Sequence, residues 1–184
     1  METGPKAGDA RVNGIFITVE LEGAIATRIH AVQEQLDPKL AREFPPHVTL
    51  IGSSGAGPIL PDSDRPALRA DIVRVAQATR RFEVRFQPAM RFIGREIVVL
   101  PIDPHGPIRS LHEALKTSGL KHQQARWPFT PHCTLNYYTT LTPDSLKALL
   151  RVREPDPWVI QVLRVYHTRD GATPELLFEA PLAV

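Results

Sequence analysis

A single cysteine, Cys133, is the entire thiol complement of this 184-residue chain, so an internal disulfide framework is excluded and a reducing compartment is compatible. No Cys-x-x-Cys and no His-Glu-x-x-His spacing occurs, so no element carries the closely spaced donors of a zinc site, and neither a metal nor another cofactor is expected. No apolar run approaches the roughly 18–20 residues of a membrane span, and the opening "METGPKAGDAR" has no apolar core of the secretory kind. A cytoplasmic protein with a frayed tail over residues 1–12 is expected. The glycine-rich stretch "GSSGAG" (52–57) is not followed by Gly-Lys-Ser/Thr, so it is not a phosphate-cradling P-loop, and a flexible loop at a cleft edge is expected.

What is present is enough to bury a core: 42% of the residues are apolar, and the length suits one domain or two small lobes sharing an interior. Charge is unevenly spread. Residues 65–95 hold eight arginines against Asp71 and Glu83, a local net of +6 that leaves −4 for the remainder of a chain whose formal total is +2. A solvated arginine face is the usual meaning of such a segment, and guidance of a phosphate-bearing ligand is the functional one.

The chain repeats itself. "FPPHVTL" (44–50) and "FTPHCTL" (129–135) share Phe, Pro, His, Thr and Leu at the same spacing. Each copy closes a similar unit. In the first, "GIFITVEL" from Gly14 predicts a strand, and Ile25, Ile29, Val32 and Leu36 recur at helical spacing before Asp37-Pro38 stops the helix. In the second, "REIVVLPID" from Arg95 predicts a strand, followed by a helix opened by Pro107 and closed by Gly119. Between the units lie a predicted helix near 67–78 and a strand "RFEVRFQP". After them come a short helix "TPDSLKALL" and strands around 158–167 and 175–180. The fold class expected is α+β.

In a strand, side chains alternate between faces. His47 and Thr49 therefore share one face, opposite Val48 and Leu50, and His132 and Thr134 share one face, opposite Cys133 and Leu135. Cys133, pointing inward, is unsuited to be a nucleophile. Two lobes related by an approximate two-fold axis bring both polar faces to one cleft. Imidazole titrates near 6.5, so one copy serves as base while the other, protonated, serves as acid. In-line displacement at phosphorus needs that pairing, and threonine hydroxyls are suited to donate to the non-bridging oxygens.

On these motifs the sequence resembles the 2H phosphoesterases, and within them the LigT-like RNA 2',3'-cyclic phosphodiesterases and 2'-5' RNA ligases. The resemblance implies a bilobal LigT-like fold, two pseudo-symmetric lobes each with an antiparallel sheet and flanking helices around a central groove, over residues 13–184. It implies metal-independent catalysis by His47, Thr49, His132 and Thr134, with His132 activating water and His47 protonating the leaving 3'-oxygen. The implied substrates are RNA ends or nucleotides bearing a cyclic phosphate, handled by a monomer away from membranes. Alternatives are a 2'-5' oligonucleotide or small cyclic nucleotide phosphodiesterase, and a non-catalytic module that binds RNA ends. Where several members of that family carry an arginine shortly after the second motif, this chain has "NYY". Tyr138 and Asn136 share parity with His132 and are expected at the groove, with Tyr137 inward. Phe129, Trp127 and Arg126, just before the motif, are further candidates for holding the nucleoside.

Overall fold

The computed structural model describes residues 12–184; the expected tail over 1–12 lies almost wholly outside the described residues. Nine strands and five helices alternate along the described residues. The first unit runs β1 (Asn13–Glu20), α1 (Gly23–Leu36), α2 (Pro38–Glu43) and β2 (His47–Ile51). After α3 (Arg65–Ala78) and the short β3 (Phe82–Val84) and β4 (Met90–Arg91), the second runs β5 (Val98–Pro101), α4 (Pro107–Lys116) and β6 (His132–Asn136). The chain ends with α5 (Pro143–Leu150), β7 (Trp158–Ile160), β8 (Val162–Arg169) and β9 (Glu175–Pro181).

Seven strands form one antiparallel sheet in the order β4-β5-β6-β2-β1-β8-β9, and β3 and β7 form a separate pair. One lobe contributes β2, β1, β8 and β9; the other contributes β6, β5 and β4. The lobes join where β2 meets β6, through the single pairing of Val48 with Cys133. The repeat is therefore visible as topology, motif strand beside motif strand, each flanked by the first strand of its own unit. The two lobe sheets are thus continuous, and the polar faces lie side by side on neighbouring strands rather than on opposing walls.

Alternation decides which face is buried. Ile15, Ile17 and Val19 of β1, Val48 and Leu50 of β2, and Cys133 and Leu135 of β6 are at most 1% exposed and form one core cluster with Ile25 and Ile29 of α1, Ile72 of α3 and Ile108, Leu111 and Leu115 of α4. The helices exchange partners across the seam: α1 of the first unit packs on β6, and α4 of the second packs on β2. Each sends a polar side chain with it. Gln33 Nε2 donates to the Thr134 carbonyl at 2.8 Å and His112 Nδ1 to the Leu50 carbonyl at 2.8 Å. His112, fully buried, is therefore a structural tie, while His30 at the matching place on α1 lies near the surface beside Glu34.

The helix stop at Asp37-Pro38 is also a start. Asp37 caps α2, accepting from Leu40 N–H at 3.2 Å, and Pro38 occupies the first helical turn, where its missing donor costs nothing. The other oxygen of this fully buried carboxylate accepts from the N–H groups of Tyr137 and Tyr138 at 2.7 and 2.8 Å. One carboxylate thus ties the turn before the first motif to the turn after the second. Replacement Asp37→Ala orphans three buried or half-buried donors, and a loss of about 3 kcal/mol is expected. Urea unfolding at unchanged slope measures it; a midpoint shift equivalent to less than about 1 kcal/mol would show that water replaces the carboxylate.

Candidate active site

With Val48 opposite Cys133 in an antiparallel ladder, the count places His47 across from Thr134 and Thr49 across from His132. The four side chains share one face of two adjacent strands, and all four are partly buried. No hydroxyl of Thr49 or Thr134 is spent on another protein group among the described residues. A pocket lined by Gln33, Leu40, Phe44 and Pro45 reaches both His47 and Thr134.

The proline before each histidine now has a reason. His47 Nδ1 lies 2.8 Å from the carbonyl of Pro45, and His132 Nδ1 lies 2.6 Å from the carbonyl of Thr130. In each copy the ring turns back on the residue two before it. A carbonyl only accepts, so Nδ1 carries hydrogen in both rings and Nε2 is the titrating atom, free of protein partners among the described residues. Burial lowers the pKa of both rings. For His47 this is partly opposed by the Pro45 carbonyl and by the Glu20 carboxylate; for His132 the Thr130 carbonyl opposes it, and positive charge on His47 lowers it further.

The two rings have different aromatic neighbours. Phe44, of the first motif, sits 5.6 Å from His47, centroid to centroid. Its counterpart Phe129 is 6% exposed and stacks on His112 at 3.9 Å instead, so it packs the core and takes no part in a base platform. His132 is met by Phe92, edge-on at 5.2 Å and 88°. Phe92 comes from the turn between β4 and β5, and no periodicity announces a two-residue strand such as β4.

The residues expected at the groove after the second motif are held by protein partners. Asn136 is fully buried, its amide donating to the carbonyls of Glu96 and Thr139 at 2.7 and 2.8 Å. It closes a turn rather than facing a ligand. Because β6 ends there, strand parity does not extend to the tyrosines: Tyr137, expected inward, is 44% exposed. Tyr138 donates its hydroxyl to Glu43 and has Lys39 Nζ 4.0 Å above its ring, which fixes it to α2. Trp127 and Arg126 are exposed; the Trp127 carbonyl accepts from Gly55 N–H at 2.8 Å.

Residues 52–57 are a clamp rather than a flexible edge. Ser54, 5% exposed, accepts from Thr130 N–H at 3.0 Å, and Thr130 is the residue whose carbonyl holds His132. The first lobe thus steadies the motif histidine of the second. Gly55, at φ +72°, lies where a Cβ would fall 2.4 Å from His112 Nε2, so only glycine fits both the backbone and the contact. Thr18, across β1–β2 from Thr49, adds a buried hydroxyl with no protein partner on the same face.

Cys133 is fully buried, and burial pushes its thiol up to about 12, which keeps it protonated and inert. Among the described residues no group of three or more His, Cys, Asp or Glu is arranged to hold a metal ion. Nor is any helix among them long and apolar enough to cross a membrane.

The family model described as the 2'-5' RNA ligase superfamily matches residues 21–172. The chain belongs to that superfamily. Solved structures resemble it in fold. Escherichia coli LigT in complex with 3'-AMP is 18% identical, with a TM-score of 0.58 over 94% of this chain and 99% of that one. The same protein complexed with NADP+ gives 18% and 0.62 over 95% and 100%. TT0787 of Thermus thermophilus gives 18% and 0.66 over 94% and 98%. These likenesses show the LigT-like fold. No curated protein is detectably similar in sequence. Membership places the chain in a group of phosphoesterases and RNA ligases.

Five histidines, His47, His112, His122, His132 and His167, have lowered pKa values, in each case chiefly through burial. The unfolded chain binds protons that the folded one refuses, so this part of the stability is present above about pH 6.5 and is lost as pH falls below it. The urea midpoint is expected to drop between pH 7.5 and pH 5, less so in His112→Gln. An unchanged midpoint over that range would contradict the burial of these rings.

Proposed function

We propose that the protein is a metal-independent phosphodiesterase that opens RNA 2',3'-cyclic phosphate ends to 2'-phosphates by two-histidine acid/base catalysis. The observation that carries this is the matched anchoring of His47 and His132: two rings on adjacent strands, each held through Nδ1 by the carbonyl two residues earlier, each with Nε2 left for a ligand. In the forward reaction neutral His132 takes a proton from water at Nε2 as the water oxygen bonds to phosphorus. The bond from phosphorus to the 3'-oxygen breaks, and protonated His47 gives its proton to that oxygen. Thr49 and Thr134 donate to the non-bridging oxygens, which gather charge in the transition state. Solvent then resets both rings.

The family's description supports a second use of the same groups. If a 5'-hydroxyl replaces water, His132 activates it and the product is a 2'-5' linkage, with the 3'-oxygen leaving as before. Nucleotide binding by E. coli LigT, seen with 3'-AMP, NADP+ and ATP, supports nucleotides or RNA ends as ligands here. Action as a monomer in the cytoplasm belongs to the same proposal. A competing hypothesis is an RNA-end-binding module without turnover, in which the same Nε2 atoms and threonine hydroxyls would hold the phosphate only.

The test uses an RNA ending in a 2',3'-cyclic phosphate, in excess chelator. Wild type is expected to yield a 2'-phosphate end with a bell-shaped pH dependence, and His47→Ala and His132→Ala to lose about 10²–10⁴-fold in kcat with the fold intact. Product from either variant at the wild-type rate would overturn the mechanism, and binding without product in wild type would favour the binding module.

A further inference from the structure

We propose that Glu20, fixed beside His47 by Tyr166 and Arg164, is the positioning residue that makes the two motif histidines unequal, assigning His47 the acid's part and His132 the base's. The inference rests on the acid/base function proposed above and deepens it. Two rings with the same Nδ1 anchor and a threonine across the strand have no difference in charge within the motifs, yet a proton-transfer pair needs one to hold a proton and the other to lack it. The difference must come from outside the motifs.

It is found one strand further out on each side. His47 pairs across β1–β2 with Glu20; His132 pairs across β5–β6 with Pro101. Directly opposed residues in an antiparallel pair point to the same face, their Cβ atoms about 5 Å apart. One histidine thus has a carboxylate as its lateral neighbour, and the other has a ring without charge. The Glu20 carboxylate is held in place: Tyr166 Oη donates to Oε1 at 2.5 Å, and Arg164 Nη1 lies 3.5 Å from Oε2. Its side chain is only 15% exposed, so water screens it weakly.

Arg164 does not cancel that charge, because it is shared. Its guanidinium also contacts Glu22 at 3.1 Å and Glu179 at 2.8 Å, which leaves three carboxylates against one cation. Burial and Glu20 both push the Tyr166 hydroxyl pKa upward, so that residue stays a neutral donor. Glu20 is the charged group whose field raises the His47 pKa against burial. On α2, Glu43 is occupied by Lys39 and Tyr138, and on β6 the titratable neighbour is His132 itself. The surplus negative charge therefore acts on His47. Once His47 is protonated, its charge keeps His132 neutral, and the pair settles into one acid and one base.

The direct experiment is an NMR titration of the imidazole Cε1–H signals in the full chain without ligand, in wild type, Glu20→Gln and, as a control, Glu179→Gln. Glu20→Gln is expected to lower the His47 midpoint by about half a pH unit to one unit without lowering that of His132; Glu179→Gln should move His47 by less. Equal shifts at both rings, or none at His47, would overturn the assignment, and would do so whether or not the substrate is an RNA end. With the cyclic-phosphate RNA, Glu20→Gln should draw the alkaline limb of the kcat profile to lower pH and cut kcat several-fold near neutrality with KM unchanged. A merely structural glutamate would lower the unfolding midpoint and leave that limb in place. A substrate with sulfur as the 3'-leaving atom needs no acid, so it should restore turnover to His47→Ala and not to His132→Ala; restoration of the opposite variant would reverse the roles.

Discussion

The pairing of Val48 with Cys133 is the constraint on which the site depends. Both residues are fully buried, and their contact is the whole hydrogen-bonded seam between the two motif strands. Because side-chain direction has a period of two, this one register puts both histidines and both threonines on the open face and pairs each histidine with the other copy's threonine. A slip by one residue would turn one motif's histidine and threonine inward while the other pair stayed on the open face. The geometry of the candidate site and core packing are thus the same fact seen from the two faces of a sheet.

The motif's repeated letters do different work in the two lobes. Proline and histidine behave alike: in each copy the carbonyl before the proline holds Nδ1 and fixes the tautomer. Phenylalanine does not, since Phe44 accompanies its own histidine while Phe129 has gone to the core beneath His112 and Phe92 has taken its place at His132. The lateral neighbours diverge as well, a carboxylate on one side and a proline on the other. Such departures from symmetry give two rings of the same motif unlike surroundings, which is the inequality the proposed proton transfer requires.

Much of this was legible from the chain. The repeat showed the two units, alternation showed which motif residues face out, and proline and glycine marked the helix ends. What was missed has a common cause. Tyr137 was placed in the core by extending strand parity past Asn136, where β6 ends, and the end is set by the buried carboxylate just before α2 that takes the N–H groups of Tyr137 and Tyr138; Asn136, still within β6, is turned to the carbonyls of Glu96 and Thr139. The loop at 52–57 looked mobile because its composition is small and polar, yet Ser54 is buried against the second motif. Phe92 and Glu20 reach the site only through pairing between distant strands. Local pattern reports what a segment does with itself, and these residues owe their roles to neighbours far away in sequence.

The exchange of helices across the seam has a consequence for how such a molecule could be divided. Either repeat taken alone would have a motif strand without the helix that covers it, since α1 lies on β6 and α4 on β2. A half-chain could cover its own strand only by meeting a second copy in the same arrangement, each lending its helix to the other. The two-fold relation inside this protein is thus the symmetry of an intertwined dimer carried on one polypeptide. Fusion of the halves is what frees Glu20 and Pro101 to differ, because residues that a true dimer would hold identical become independent positions once they share a chain.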